Sequence, residues 1–197
     1  MGIWFTAAFA GQPAPMTSGS DADLENSMSF RVYAVREGDT LASIAAQTRV
    51  YNNSLTWPLI YFFNREDLRE VKLPSAGLAS TPLPPGMALA IMLPAEAEKR
   101  AVRRAEERPW VVNIISSADA EDLAAPAIRL IDNGRFAYIS EWTFKEKRWK
   151  RLRIGFFPDR EAAVALGRMV LEELGLPNCW VVRAEWSELV EFCGYAE

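Results

Sequence analysis

Trp149-Lys-Arg-Leu-Arg-Ile-Gly-Phe-Phe157 is the stretch on which the reading of the chain turns. Its alternation sends Leu152 and Ile154 to one face of a strand and Trp149, Arg151 and Arg153 to the other. Asp159 follows at a helix N-cap position, and Ala163, Leu166, Val170 and Leu174 then share one face of a helix over Arg160–Leu174 that Gly175 stops. Working backwards, a turn near Lys145–Lys147 leads to a second strand over Phe136–Trp142. Before it lie a helix over Ala118–Asn133, bent or broken at Pro126 and closed by Gly134, and a first strand over Trp110–Ser116. Working forwards, Cys179–Glu185 is a last strand. The order over residues 109–185 is βαββαβ, a ferredoxin-like arrangement with two helices on one face of an antiparallel sheet and the other face open.

Alternation also assigns the open face. With Val112, Ile114, Ala137 and Ile139 directed to the helices, Asn113, Tyr138, Ser140 and Trp142 join Trp149, Arg151 and Arg153 on the opposite side, and Ser116 is a further candidate at the end of the first strand. Rings that stack on pyranose faces, beside groups that hydrogen-bond hydroxyl and N-acetyl groups, suit a sugar polymer.

Residues 30–94 read differently. Phe30–Val35 is a strand, Glu37–Thr40 a turn with Asp39 placed to cap a helix carrying Leu41, Ile44 and Ala45. A second helix carries Trp57, Ile60, Tyr61 and Leu68, with Thr56 at its cap, Pro58 in its first turn and a possible end near Asn64. Leu83-Pro-Pro-Gly86 turns into a returning strand over Met87–Leu93, giving βααβ. The whole is an α+β chain of two small domains.

Two resemblances rest on these residues. Tyr33-Ala-Val35, Gly38-Asp39-Thr40-Leu41, Ile44-Ala45, Trp57, Ile60, Asn64, Leu83-Pro-Pro-Gly86 and Leu89-Ala-Ile91 resemble, in that order, a LysM domain. That resemblance implies binding of peptidoglycan or another N-acetylglucosamine-containing glycan in a groove bordered by Gly38, Asp39, Thr40 and Leu41 on one wall and the segment from Asn64 on the other. The loop over residues 65–82 is longer than the family's usual one. Trp110-Val-Val-Asn113, Ala137-Tyr138, Trp149–Phe157, Arg160-Glu-Ala-Ala163 and Pro177-Asn-Cys-Trp-Val-Val-Arg183 resemble a SPOR domain. This second resemblance implies binding of septal peptidoglycan through the exposed sheet face. The family carries Gln where Asn113 stands, and Gly-Ser-Phe where Ile115-Ser116-Ser117 stands.

The remaining features bound the function. The chain has 197 residues, a net charge of −4 and no histidine, which removes the commonest general base and metal ligand. No catalytic constellation, metal set or cofactor motif is legible. The run Lys145–Arg153 is basic but lacks the glycine- and aromatic-rich signature of an RNA-binding strand, so no nucleic-acid partner is expected. Residues 1–29 read as a flexible leader whose Gly2–Ala10 is either the end of a signal peptide or part of an arbitrary disordered leader, and no transmembrane segment is visible. Residues 95–108 read as a charged, solvated helical linker between the domains, with Glu96 and Arg100 one turn apart, and residues 186–197 as a tail packed through Trp186, Leu189, Val190 and Phe192. Cys179 and Cys193 are either a disulfide or two free thiols. Two functions fit: non-catalytic binding of cell-wall glycan in the periplasm or cell envelope, or an envelope scaffold that holds cell-division or envelope proteins.

Overall fold

A computed structural model of the chain describes residues 29–71, 74, 77–105 and 107–196. The expected leader therefore lies outside the described residues, Ser29 excepted.

In the first half, β1 (Arg31–Ala34) pairs antiparallel with β2 (Ala88–Ile91), Tyr33 standing opposite Leu89. Between them run α1 (Leu41–Ala45), α2 (Trp57–Phe63) and α3 (Arg65–Glu70), with 3-10 turns at Ser54–Thr56 and Leu78–Ser80. Gly38 takes φ 80°, which a side chain would strain. The cap of α1 is Thr40 and not Asp39: Thr40 and Ser43 form a reciprocal capping box. The Asp39 carboxylate is committed to the turn before it, accepting from the Tyr33 hydroxyl at 2.7 Å and from the Arg36 amide at 2.9 Å. Asn64 ends α2, and the chain resumes at once as α3. Trp57 through Phe62 are all buried, so α2 has no solvent face along that run.

In the second half, β3 (Trp110–Ser117), β4 (Ala137–Phe144), β5 (Lys147–Phe157) and β6 (Trp180–Arg183) form one antiparallel sheet in the order β4-β5-β3-β6. The helices α5 (Ala124–Asp132) and α6 (Arg160–Leu174) pack on one face, and Asp159 caps α6 through the Ala162 amide at 2.7 Å. A 3-10 turn over Glu121–Leu123 precedes α5, so the expected helix is interrupted before Pro126, which falls in the first turn of α5, where its missing N–H breaks no helical hydrogen bond.

The helix between the halves is not a solvated spacer. In α4 (Pro94–Ala105), Ala97 and Ala101 are buried, and the C-terminal segment packs on them as α7 (Trp186–Phe192) and a 3-10 turn over Cys193–Tyr195. Small side chains allow this approach, and Gly194 lies so close to Ala97 that a Cβ there would overlap the Ala97 carbonyl. Glu96 pairs with Lys99 at 3.1 Å instead of Arg100. Within the tail, Leu189 and Phe192 are buried as expected, while Trp186 and Val190 occupy the exposed side of α7.

The two halves also share a core. Phe62 meets Phe136 edge-on at 5.4 Å, and Asp132 accepts from the Tyr61 hydroxyl at 2.9 Å and from Arg69 at 2.8 Å. One cluster of buried apolar residues runs from Tyr33 to Val170, and a second joins Leu59, Met92 and Ala97 to Tyr138, Phe192 and Tyr195. Cys179 and Cys193 are not bridged: Cys179 rests against Gly167 of α6, whereas Cys193 is buried in the C-terminal turn.

Candidate functional site

The sheet face turned away from α5 and α6 carries the residues singled out by alternation. Register places Tyr138 beside Arg153, Ser140 beside Arg151 and Trp142 beside Trp149 on one side of β5. On the other side it places Asn113 beside Arg153 and, after a bulge, Ser116 beside Arg151. The bulge keeps Ser116 on the same face as Asn113 despite their odd spacing.

The face is not open throughout, because α7 lies across part of it. Tyr138 is fully buried, with Phe192 stacked on its ring at 4.4 Å. Burial pushes its phenol well above the usual tyrosine range; the Glu188 carboxylate adds to this, and Arg153 and Arg151 act against it. Arg153 and Glu188, each 3% exposed, pair at 2.5 Å, and Asn113 Oδ1 stands 3.4 Å from Arg153 Nε. Arg151 reaches Glu185 at 3.1 Å and Glu188 at 3.9 Å. Glu188 also accepts from the Glu185 amide, so one side chain caps α7 and anchors it to the sheet. The arginines expected as exposed ligand contacts are therefore neutralised by the protein's own carboxylates.

A groove of about 270 Å³ remains beside α7. Asn113, Ser116, Arg151 and Arg153 lie along it, Trp142 borders it, and Trp180 and Val182 complete it from β6. Trp142 and Trp180 are 38% and 56% exposed, enough for ring faces to meet a ligand. Arg151 also lies over the Trp142 ring at 5.3 Å, fixing its orientation. Trp149 is half-buried and engaged by Lys147 at 4.4 Å instead of lining the groove. Of the eight residues expected here, the groove gathers five and leaves out Tyr138, Ser140 and Trp149. Trp180 and Val182 were missed, although the alternation of β6 carries the signal.

The five residues expected in the first half are not gathered in this way. Gly38 is exposed, and Asp39 and Thr40 are half-buried and serve the turn and the cap. Leu41 is core. Asn64 is buried and ties α2 to β2, donating to the Ile60 and Ala90 carbonyls and accepting from the Ala90 amide at 2.7 Å. The segment after it turns inward through Leu78, and a hollow of about 190 Å³ between Ala42, Trp57 and Ala79 is closed on one side by Ala120, Glu121 and Ala124 of the second half.

An antiparallel β4-β5-β3-β6 sheet, two helices on one face and an aromatic groove on the other now stand together. Residues 106–183 match the SPOR domain family. The match spans less than half of the chain, nearly all of the second half, and bears out that part of the resemblance. The SPOR domain is a peptidoglycan-binding domain, not a catalytic one, and it occurs in cell-envelope and division proteins. Residues 30–94 lie outside the match, and no comparison supports a LysM domain there. No curated protein and no solved structure matches the chain. Among the described residues no helix is long and apolar enough to cross a membrane.

Proposed function

We propose that this chain binds cell-wall glycan strands in the periplasm, at the division septum, and that the groove between Trp142 and Trp180 holds the sugar. The observation that carries this is the pair of exposed indoles flanking hydrogen-bonding side chains on the sheet face of the SPOR half. Because Glu185 and Glu188 already balance Arg151 and Arg153, the floor suits a neutral pyranose better than an anionic stem peptide. Asn113 and Ser116 supply amide and hydroxyl groups, and the rings supply stacking area. The Gly38–Thr40 turn is a second, weaker glycan contact in this reading, and its place on the same body would add avidity.

A second reading is favoured by α7. Its coverage of Tyr138 narrows the face, as expected of a scaffold that holds envelope or division proteins and has given up much of its glycan contact. Co-sedimentation with purified sacculi, before and after amidase removes the stem peptides, separates the two. Pelleting that increases on amidase treatment supports the glycan reading. Absence from the pellet in both conditions sinks it.

A further inference from the structure

The first half has an open strand edge that the glycan reading does not use. Among the described residues β1 pairs with β2 alone. Asn64 bonds both the amide and the carbonyl of Ala90, so those groups point away from β1. Val32, directly opposite Ala90, is therefore in a non-hydrogen-bonded pair, and its own N–H and C=O point outward from the sheet. Ala34 has the same parity, while Val35 turns inward to Met87 and Gly86. Among the described residues, nothing bonds the backbone of Val32 or Ala34 from outside. Proteins ordinarily cover or blunt such an edge, because it is a template for another strand.

A groove of about 340 Å³ runs along this edge, with Tyr33, Val50 and Ile91 contributing apolar surface. Arg31, Arg36 and Arg49 line it as well, and none of the three is in an ion pair among the described residues. Arg49 lies over the Tyr33 ring at 5.5 Å and donates its Nε to Gln47 at 3.0 Å. Glu37 is exposed next in sequence but does not line the groove. Main-chain groups and three guanidiniums left unpaired among the described residues, beside an apolar floor, together suit an extended ligand with carboxylates.

The geometry points to the β1 edge as a docking site for an extended acidic peptide of a partner protein, added as a third strand beside β1 with its carboxylates against Arg31, Arg36 and Arg49. Main-chain bonds to Val32 and Ala34 supply register, and the arginines supply selectivity.

The test is fluorescence anisotropy of the full chain with a labelled octapeptide that alternates Asp and Val. The native chain binds this peptide and not its Lys–Val counterpart. Val32→Pro removes one outward N–H without touching the β1–β2 pairing, and proline is tolerated on an edge. It and Arg36→Glu/Arg49→Glu each weaken binding at least about tenfold, as loss of main-chain or charge contacts requires. Circular dichroism of both variants stays native. No binding by the native chain overturns the proposal, and so does native-like binding by Val32→Pro, which would mark a generic polyanion site. Binding that appears only after Asp21, Asp23 and Glu25 are replaced by Ser would assign the edge to the chain's own acids and overturn it too.

Discussion

Glu188→Ala is the perturbation that most sharply examines how α7 sits on the sheet. Glu188 and Arg153 are each 3% exposed and 2.5 Å apart, and the further polar neighbours of Arg153 are Asn113 at 3.4 Å, Glu185 at 4.0 Å and the buried Tyr138 hydroxyl. Removing the carboxylate leaves a buried guanidinium without its main partner, which costs about 3–5 kcal/mol. The substitution also frees the Glu185 amide, but that loss overlaps the first and is not simply additive. Glu188→Gln keeps an acceptor and should cost less, about 1–3 kcal/mol. The double change Arg153→Met/Glu188→Leu removes both charges and should lie within about 1 kcal/mol of the native chain, or above it. Urea unfolding followed by tryptophan fluorescence gives all four values. A cost below about 1 kcal/mol for Glu188→Ala would refute the reasoning, since only a pair open to water is so cheap to break.

Two further outcomes follow from the contacts between elements. Gly194→Ala places a methyl into the Ala97 carbonyl and should destabilise by about 1–3 kcal/mol or more, read as a lower thermal midpoint, whereas Gly134→Ala meets no neighbouring atom and is strained only by its φ of 75°. Burial, with the hydrogen bond to Asp132 next, pushes the Tyr61 phenol up to about 12. Its folded value lies above the unfolded value near 10, so the stability it contributes is complete below that pH and is lost as pH rises through 12. The native chain should thus lose about 2 kcal/mol more than Tyr61→Phe between pH 9 and about pH 11.5, measured from urea midpoints of the two chains.

Much of the second half was legible because its strands alternate, with a bulge in β3 as the exception. Leu152 and Ile154 against Arg151 and Arg153 fix which side meets the helices, and that assignment holds in the observed register. What periodicity within one element does not reveal is which other element covers a face. Tyr138 points where alternation puts it, yet it is buried because Phe192 arrives from residues far along the chain. Glu188 reads as an ordinary solvated acid until Arg153 is seen opposite it. Two signals did exist. The unbroken apolar and aromatic run Trp57-Pro-Leu-Ile-Tyr-Phe62 gives α2 no polar side, which calls for a second body to pack on it, and all six are buried. Ala97 and Ala101, one turn apart in a charged helix, mark a stripe where another segment can come close.

In the first half, residue type alone leaves two uses open. Gly38, Asp39 and Asn64 have the residue types of a ligand loop, and those same types serve a turn and a helix-to-strand tie. Only the hydrogen-bond partners distinguish the two uses, and they lie up to 26 residues away in sequence.

The central claim is that the Trp142–Trp180 groove holds glycan. Pelleting of the full chain with amidase-treated sacculi, compared between the native chain and Trp142→Ala/Trp180→Ala, tests it most directly. The expected result is loss of most of the pelleted fraction, with circular dichroism unchanged because both rings are exposed. Undiminished pelleting of the folded double variant would contradict the claim and move glycan binding, if present, off this groove.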